Sequence, residues 1–221
     1  MSKKKTKLQE ETEVIVILDR SGSMSSISEA TVNGFNEFIK EQKGAKGKAF
    51  ITLVQFDDSY QVDYKNVPVE AVSDLINGET FVPRGMTAML DAIGKTINEV
   101  KTDRDVVCVI ITDGHENASK EYTKDTVFKL INKKTKKGWS FLFLGANQDA
   151  IKAGGDLGIN RGNSMNYDAT VKGATQAFQS MSANTVQYRS AKFTAVDIAE
   201  AKGSLDFAQE QRDEAVENGK G

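Results

Sequence analysis

The stretch VIVILDRSGSM, residues 14–24, decides the fold. Five aliphatic residues, Val14 to Leu18, run without a polar break into Asp19, and Ser21 and Ser23 follow at alternate positions. An apolar run of this kind reads as a strand buried on both faces, as in a parallel sheet. Helix capping accounts for one of the three polar residues, since Ser and Asp favour the N-cap. It does not account for three at alternating spacing, so the strand end reads as a site.

Outward from this strand, Ile27, Ala30, Phe35, Phe38 and Ile39 fall on one helical face that ends near Gly44. AFITLVQF (49–56) and SYQVDYKNV (59–67) read as two strands joined by a tight turn at Asp57 and Asp58, the second an antiparallel edge. After Thr87, the stripe Leu90, Ile93, Ile97 and Val100 predicts a helix, and DVVCVIITDG (105–114) is another apolar strand with a polar end. Val127, Leu130 and Ile131 mark a third helix, WSFLFLGAN (139–147) a further strand, and Val171, Ala174, Phe178 and Met181 a helix within 168–186. Apolar strands alternating with helices predict a doubly wound α/β fold: a mostly parallel sheet with one antiparallel edge strand and helices on both faces. Residues 1–11 read as a basic, flexible tail and 12–187 as the domain. Residues 188–221 read as an acidic extension, helical or partly disordered, with seven acidic and three basic residues between Asp197 and Lys220.

Composition narrows the function. With 221 residues, 39% hydrophobic, 27% charged and a net charge of -2, the chain gives no reason to expect a nucleic-acid surface. No stretch is apolar for long enough to span a membrane, and the N-terminus lacks a signal peptide's apolar core. Cys108 is the sole cysteine and lies within an apolar strand, which favours a reducing compartment and a cytoplasmic location.

In an open parallel sheet, ligands bind beyond the carboxyl ends of the strands. One strand ends in Asp19-x-Ser21-x-Ser23 and another in Thr112-Asp113-Gly114, and between them PRGMTAML (83–90) sets Thr87 at a helix start. Two carboxylates and three hydroxyls are therefore expected to converge from three loops at one edge of the sheet. Hard oxygen donors suit Mg2+ or Mn2+, and the lack of nearby Cys or His ligands disfavours zinc. Two negative charges against two positive leave such an ion electrophilic, with a carboxylate from another molecule as a favourable last ligand.

Taken together, DRSGSM, the Thr87 loop and ITDG resemble the von Willebrand factor A (vWA) domain and its metal-ion-dependent adhesion site (MIDAS), over about residues 12–187. The resemblance implies a Rossmann-like fold, direct metal contact from Ser21, Ser23 and Thr87, and contact through water from Asp19 and Asp113. Met86 stands where the family commonly has glycine. The rim of the site is expected to include Arg20, Met24, Met86, His115 and Glu116. The implied function is a non-enzymatic module of bacterial or bacteriophage type, binding an Asp or Glu of a protein partner, as a monomer or a metal-assisted oligomer. The resemblance also raises coupling of the last helix to the site.

Three enzyme classes fit the sequence poorly. No G-x-S-x-G surrounds Ser21 or Ser23, and no GxxxxGK[ST] loop is present. A magnesium-dependent phosphatase-like hydrolase with Asp19 as nucleophile is the closest rival, yet serines stand where its acid/base group and lysine belong. His115, the single histidine, reads as a loop residue at the rim. Self-association through the metal is the remaining alternative.

Overall fold

The structure, a computed structural model, describes residues 11–146, 149–193 and 198–216. β1 (Glu11–Asp19) lies at the centre of a six-stranded sheet, paired in parallel with β2 (Lys48–Phe56) on one side and β4 (Asp105–Thr112) on the other. β3 (Tyr60–Pro68) is the antiparallel edge beside β2. β5 (Ser140–Ala146) and β6 (Ser164–Tyr167) continue from β4 in parallel. The strand order β3-β2-β1-β4-β5-β6 reverses direction at β1, so a crevice opens between the carboxyl ends of β1 and β4. The register sets Leu18 beside Ile111, which brings Asp19 next to Thr112.

Alternate residues of the central strands feed two cores, which is why the strands read as unbroken apolar runs. Val14, Val16 and Leu18 pack with Phe35, Phe38 and Ile39 of α1 (Ser28–Gly44) and with Ala177, Phe178 and Met181 of α5 (Val171–Ala191). Ile15 and Ile17 face Ile93 and Ile97 of α2 (Met89–Glu99) and Val127 and Ile131 of α3 (Lys124–Thr135). α4 (Ala150–Asp156) and β6 carry no signal of their own in the sequence: one is seven residues with two glycines, the other four residues. α1 begins later than its apolar stripe because residues 22–27 wind as a tighter 3-10 turn.

The boundary expected at residue 188 falls inside α5. Tyr188 is fully buried, and the buried Arg189 guanidinium donates to Gln42 O, Gln42 Oε1 and Gly47 O. Lys192, also buried, donates to Thr12 Oγ1 at 3.0 Å and pairs with Asp105 at 2.9 Å. α6 (Ile198–Gly203) and α7 (Gln209–Ala215) follow, and Ala201, Leu205, Phe207 and Ala215 join the α1/α5 core. The basic tail expected over 1–11 lies outside the described residues except for Glu11, where β1 starts. Among the described residues no helix is long and apolar enough to cross a membrane.

α2, the helix behind Thr87, is held by a ring laid on a glycine. A Cβ added at Gly94 would stand 2.2 Å from Tyr122 Cδ1 and 2.4 Å from its Cγ. Tyr122 is fixed at both ends, its N–H on Asp91 and its hydroxyl on Asn98. Gly94→Ala therefore sets an overpacking cost of about 1–3 kcal/mol against a helix-propensity gain of about 1 kcal/mol. A lower urea midpoint, by about 1–2 kcal/mol of stability, is the expected outcome.

Candidate metal centre

Asp19 sits at the last position of β1 with no exposed surface. Its Oδ1 accepts from Ser21 N–H at 2.6 Å, and its Oδ2 accepts from the Thr112 hydroxyl at 2.5 Å. These bonds bend the chain back over the strand end and turn Ser21 and Ser23 to the same side. Their hydroxyls lie 3.1 Å apart, and Ser23 Oγ donates to Asp113 Oδ1 at 2.6 Å. Thr87 arrives from the third loop. A Cβ added at Gly114 would lie 3.1 Å from Thr87 Oγ1, 3.4 Å from Ser23 Oγ and 3.9 Å from Ser21 Oγ. Three hydroxyls thus come within 4 Å of one point beside Asp113, and a Cβ there would press on Thr87 Oγ1.

Neither Thr87 nor Ser21 spends its hydroxyl on a helix. The residue before α2 is Ala88, with no side-chain cap, and Ser21 makes no cap bond to the turn after it. The Leu90 N–H in the first turn of α2 is instead satisfied by Glu116, whose carboxylate also accepts from Ala118 N, Ser119 N and Ser119 Oγ. Asn117 holds Thr87 directly. Its side-chain oxygen accepts from Thr87 N at 2.9 Å, and the N–H groups of Asn117 and Ala118 donate to Thr87 O. Below the cup, the buried Tyr167 hydroxyl donates to Thr112 O at 3.2 Å.

The rim differs in part from expectation. Met86 (54% exposed) and His115 stand at the surface, and Glu116 is half-buried in its capping role. Met24 does not reach the rim. It is fully buried in the α1/α5 core, on the inward side of the 3-10 turn over residues 22–27. Arg20 also turns inward, with its Nε on Asp57 Oδ2 at 3.0 Å and Nη1 on Gln61 Oε1 at 2.7 Å. Asp57 and Asp58 occupy the β2–β3 turn, where Ser59 N donates to Asp57 Oδ1.

Electrostatics set what the cup can hold. Burial pushes the Asp19 carboxyl up to about 6, against the Thr112 and Ser21 hydrogen bonds, and the charge of Asp113 pushes the same way. Burial likewise raises Asp113, against the bond from Ser23. Two desolvated carboxylates in one cup favour a counter-charge, and hydroxyl-rich oxygen donors match a small hard cation. Among the described residues no cluster of three or more His, Cys, Asp or Glu forms a richer metal site. The Ser21 hydroxyl meets Ser23 and Asp19, and the Ser23 hydroxyl meets Ser21 and Asp113.

The unfolded Asp19 carboxyl ionises near pH 4 and the folded one near 6. The ionised form therefore costs stability as pH rises through that window, and the full cost remains above it. In chelator, the stability of the wild type is expected to fall as pH rises from about 4 to 6, and this dependence is expected to be lost in Asp19→Asn. The same variant is expected to lose any stabilisation by Mg2+, as read by thermal melting with and without the ion.

No protein-family model matches the chain. Integrin alpha-M of the mouse is 25% identical over 129 residues, which is 54% of this chain and 11% of that protein, so the chain spans about a tenth of this curated relative. Solved structures share the fold at low identity. A von Willebrand factor type A protein from Catenulispora acidiphila is 18% identical with a TM-score of 0.54, covering 80% of this chain and 43% of that one. Proximal thread matrix protein 1 of the mussel byssus, in a form with a zinc-occupied MIDAS motif, is 14% identical with a TM-score of 0.56, covering 83% and 46%. The pilus adhesin SpaC of Lactobacillus rhamnosus GG is 12% identical with a TM-score of 0.61, covering 82% and 31%. The mostly parallel six-stranded sheet flanked by helices is the Rossmann-like α/β fold of the von Willebrand factor A domains.

Proposed function

We propose that this chain is a non-enzymatic interaction module that holds Mg2+ or Mn2+ between Asp19, Ser21, Ser23, Thr87 and Asp113. A carboxylate from an Asp or Glu of a partner protein would be the last ligand. The observation that carries this reading is the convergence of the Ser21, Ser23 and Thr87 hydroxyls on one point beside Gly114, with Asp113 in contact. Bound there, the ion supplies positive charge to attract and orient an incoming anion.

The chain's own residues do the rest. Asp19, bonded to Ser21 N and Thr112, fixes the turn that aims both serines. Asn117 fixes Thr87. Ser23 is the exposed member of the set, so the cup opens on its side, flanked by Met86 and His115 as contact surface for the partner. Two carboxylates balance a divalent ion and leave it room for one more anion. The MIDAS motif of the mussel protein and the weak integrin likeness support the same reading. A cytoplasmic setting, favoured by the lone buried Cys108, belongs to the proposal.

Calorimetric titration with Mn2+ is expected to give one site per chain, with affinity lowered about tenfold or more in Thr87→Ala and an unchanged melt in chelator. Partner capture is expected in Mg2+ and lost both in EDTA and in Thr87→Ala. Equal capture under all three conditions would defeat the reading.

A further inference from the structure

Asp57 has more partners than its turn needs. The β2–β3 turn uses Oδ1, which accepts from Ser59 N at 2.6 Å, together with the Asp57 N–H bond to Ser59 O. Oδ2 takes no part in the turn. It accepts from Arg20 Nε at 3.0 Å and Arg84 Nε at 2.9 Å, two guanidiniums from the two loops that bracket the cation cup. Arg20 lies between Asp19 and Ser21, and Arg84 is three residues before Thr87.

The backbone follows the same seam. Arg84 N donates to Arg20 O at 2.8 Å, Gly22 N to Gly85 O at 3.2 Å, and Ala88 N to Asp57 O at 2.9 Å. Between these bonds the chain passes Gly85 at φ +66°, where an added Cβ would lie 2.8 Å from Asp58 Oδ1. Only glycine lets the loop cross the turn so closely. Residues 84–88 are thus stitched to residues 20–22 and to Asp57 on both sides of Thr87.

The chemistry fits a fixed clamp. Asp57 has no exposed surface, and burial works to raise its carboxyl. The Arg84 bond, the Ser59 N–H and the Arg20 charge outweigh burial and hold it below the usual carboxylate range. Two arginines on a single buried oxygen cannot both move freely, so the two loops share one position. Arg20 is further pinned by Gln61 at 2.7 Å.

We infer that Asp57 is a positioning residue for the cation cup, acting through Arg20 and Arg84 to set Thr87 against Ser21 and Ser23. This rests on the cation reading above. Arg84 is the accessible handle, because its side chain is 58% exposed and Asp57 keeps Arg20 and Ser59 when Arg84 is cut back.

The test compares wild type, Arg84→Gln and Arg84→Lys by calorimetric titration with Mn2+, by melting in chelator, and by amide hydrogen exchange of the metal-free protein. Arg84→Gln is expected to weaken Mn2+ binding about tenfold, with the melting temperature in chelator unchanged and faster exchange at Ala88 N–H. Arg84→Lys, which keeps a charge for Asp57, is expected to recover most of the affinity. Asp57→Asn, which releases both arginines, is expected to lose more. Wild-type affinity in Arg84→Gln would overturn the inference, as would unchanged exchange at Ala88 or a loss of affinity accompanied by a lower global melt. If wild type takes up no Mn2+, the cation reading itself falls, and that result is distinct from wild-type binding that Arg84→Gln leaves untouched.

Discussion

A buried negative charge at the end of the central strand is the constraint to which the rest of the molecule answers. Asp19 is enclosed because β1 is flanked by β2 and β4 and covered by helices on both faces. Ionising it there is costly, and its two hydrogen bonds offset that cost only in part. The same bonds, to Ser21 N and from Thr112, shape the turn and aim the serines. Burial, loop geometry and affinity for a cation are thus one arrangement seen three ways. Removing any of these groups changes the other two.

Much of the fold was legible because buried parallel strands leave unbroken aliphatic runs and their covering helices leave 3.6-residue stripes. β1, β4 and β5, with α1 and α2, could be read that way, and so could the antiparallel edge at β3. α4 and β6 are too short for a period to emerge. The packing of the C-terminal region was hidden for a related reason. Its buried residues, Ala201, Leu205, Phe207 and Ala215, are spread over two short helices and a loop, so no single stripe forms.

The candidate ligands were legible from local spacing, since Asp19, Ser21 and Ser23 alternate and Thr87 and Asp113 stand at element boundaries. The groups that hold them were not. Asn117 meets Thr87 across 30 positions, Arg20 meets Asp57 across 37, and Tyr167 meets Thr112 across 55. Nothing local marks such pairs, and Asp57 looked like turn chemistry alone. Met24 follows Ser23 directly in the sequence, but the 3-10 turn carries it into the core.

The far end of α5 limits how this scaffold can move. Arg189 grips Gln42 and Gly47, and Lys192 grips Thr12 and Asp105, all from buried positions at the pole opposite the cup. An axial slide by one turn, about 5.4 Å, would strand both cations away from water. Breaking a buried pair in this manner costs about 3–5 kcal/mol, more than an ordinary allosteric coupling of about 1–3 kcal/mol supplies. An axial shift of the long helix would therefore carry that cost at its base, where it is tied to α1, β1 and β4.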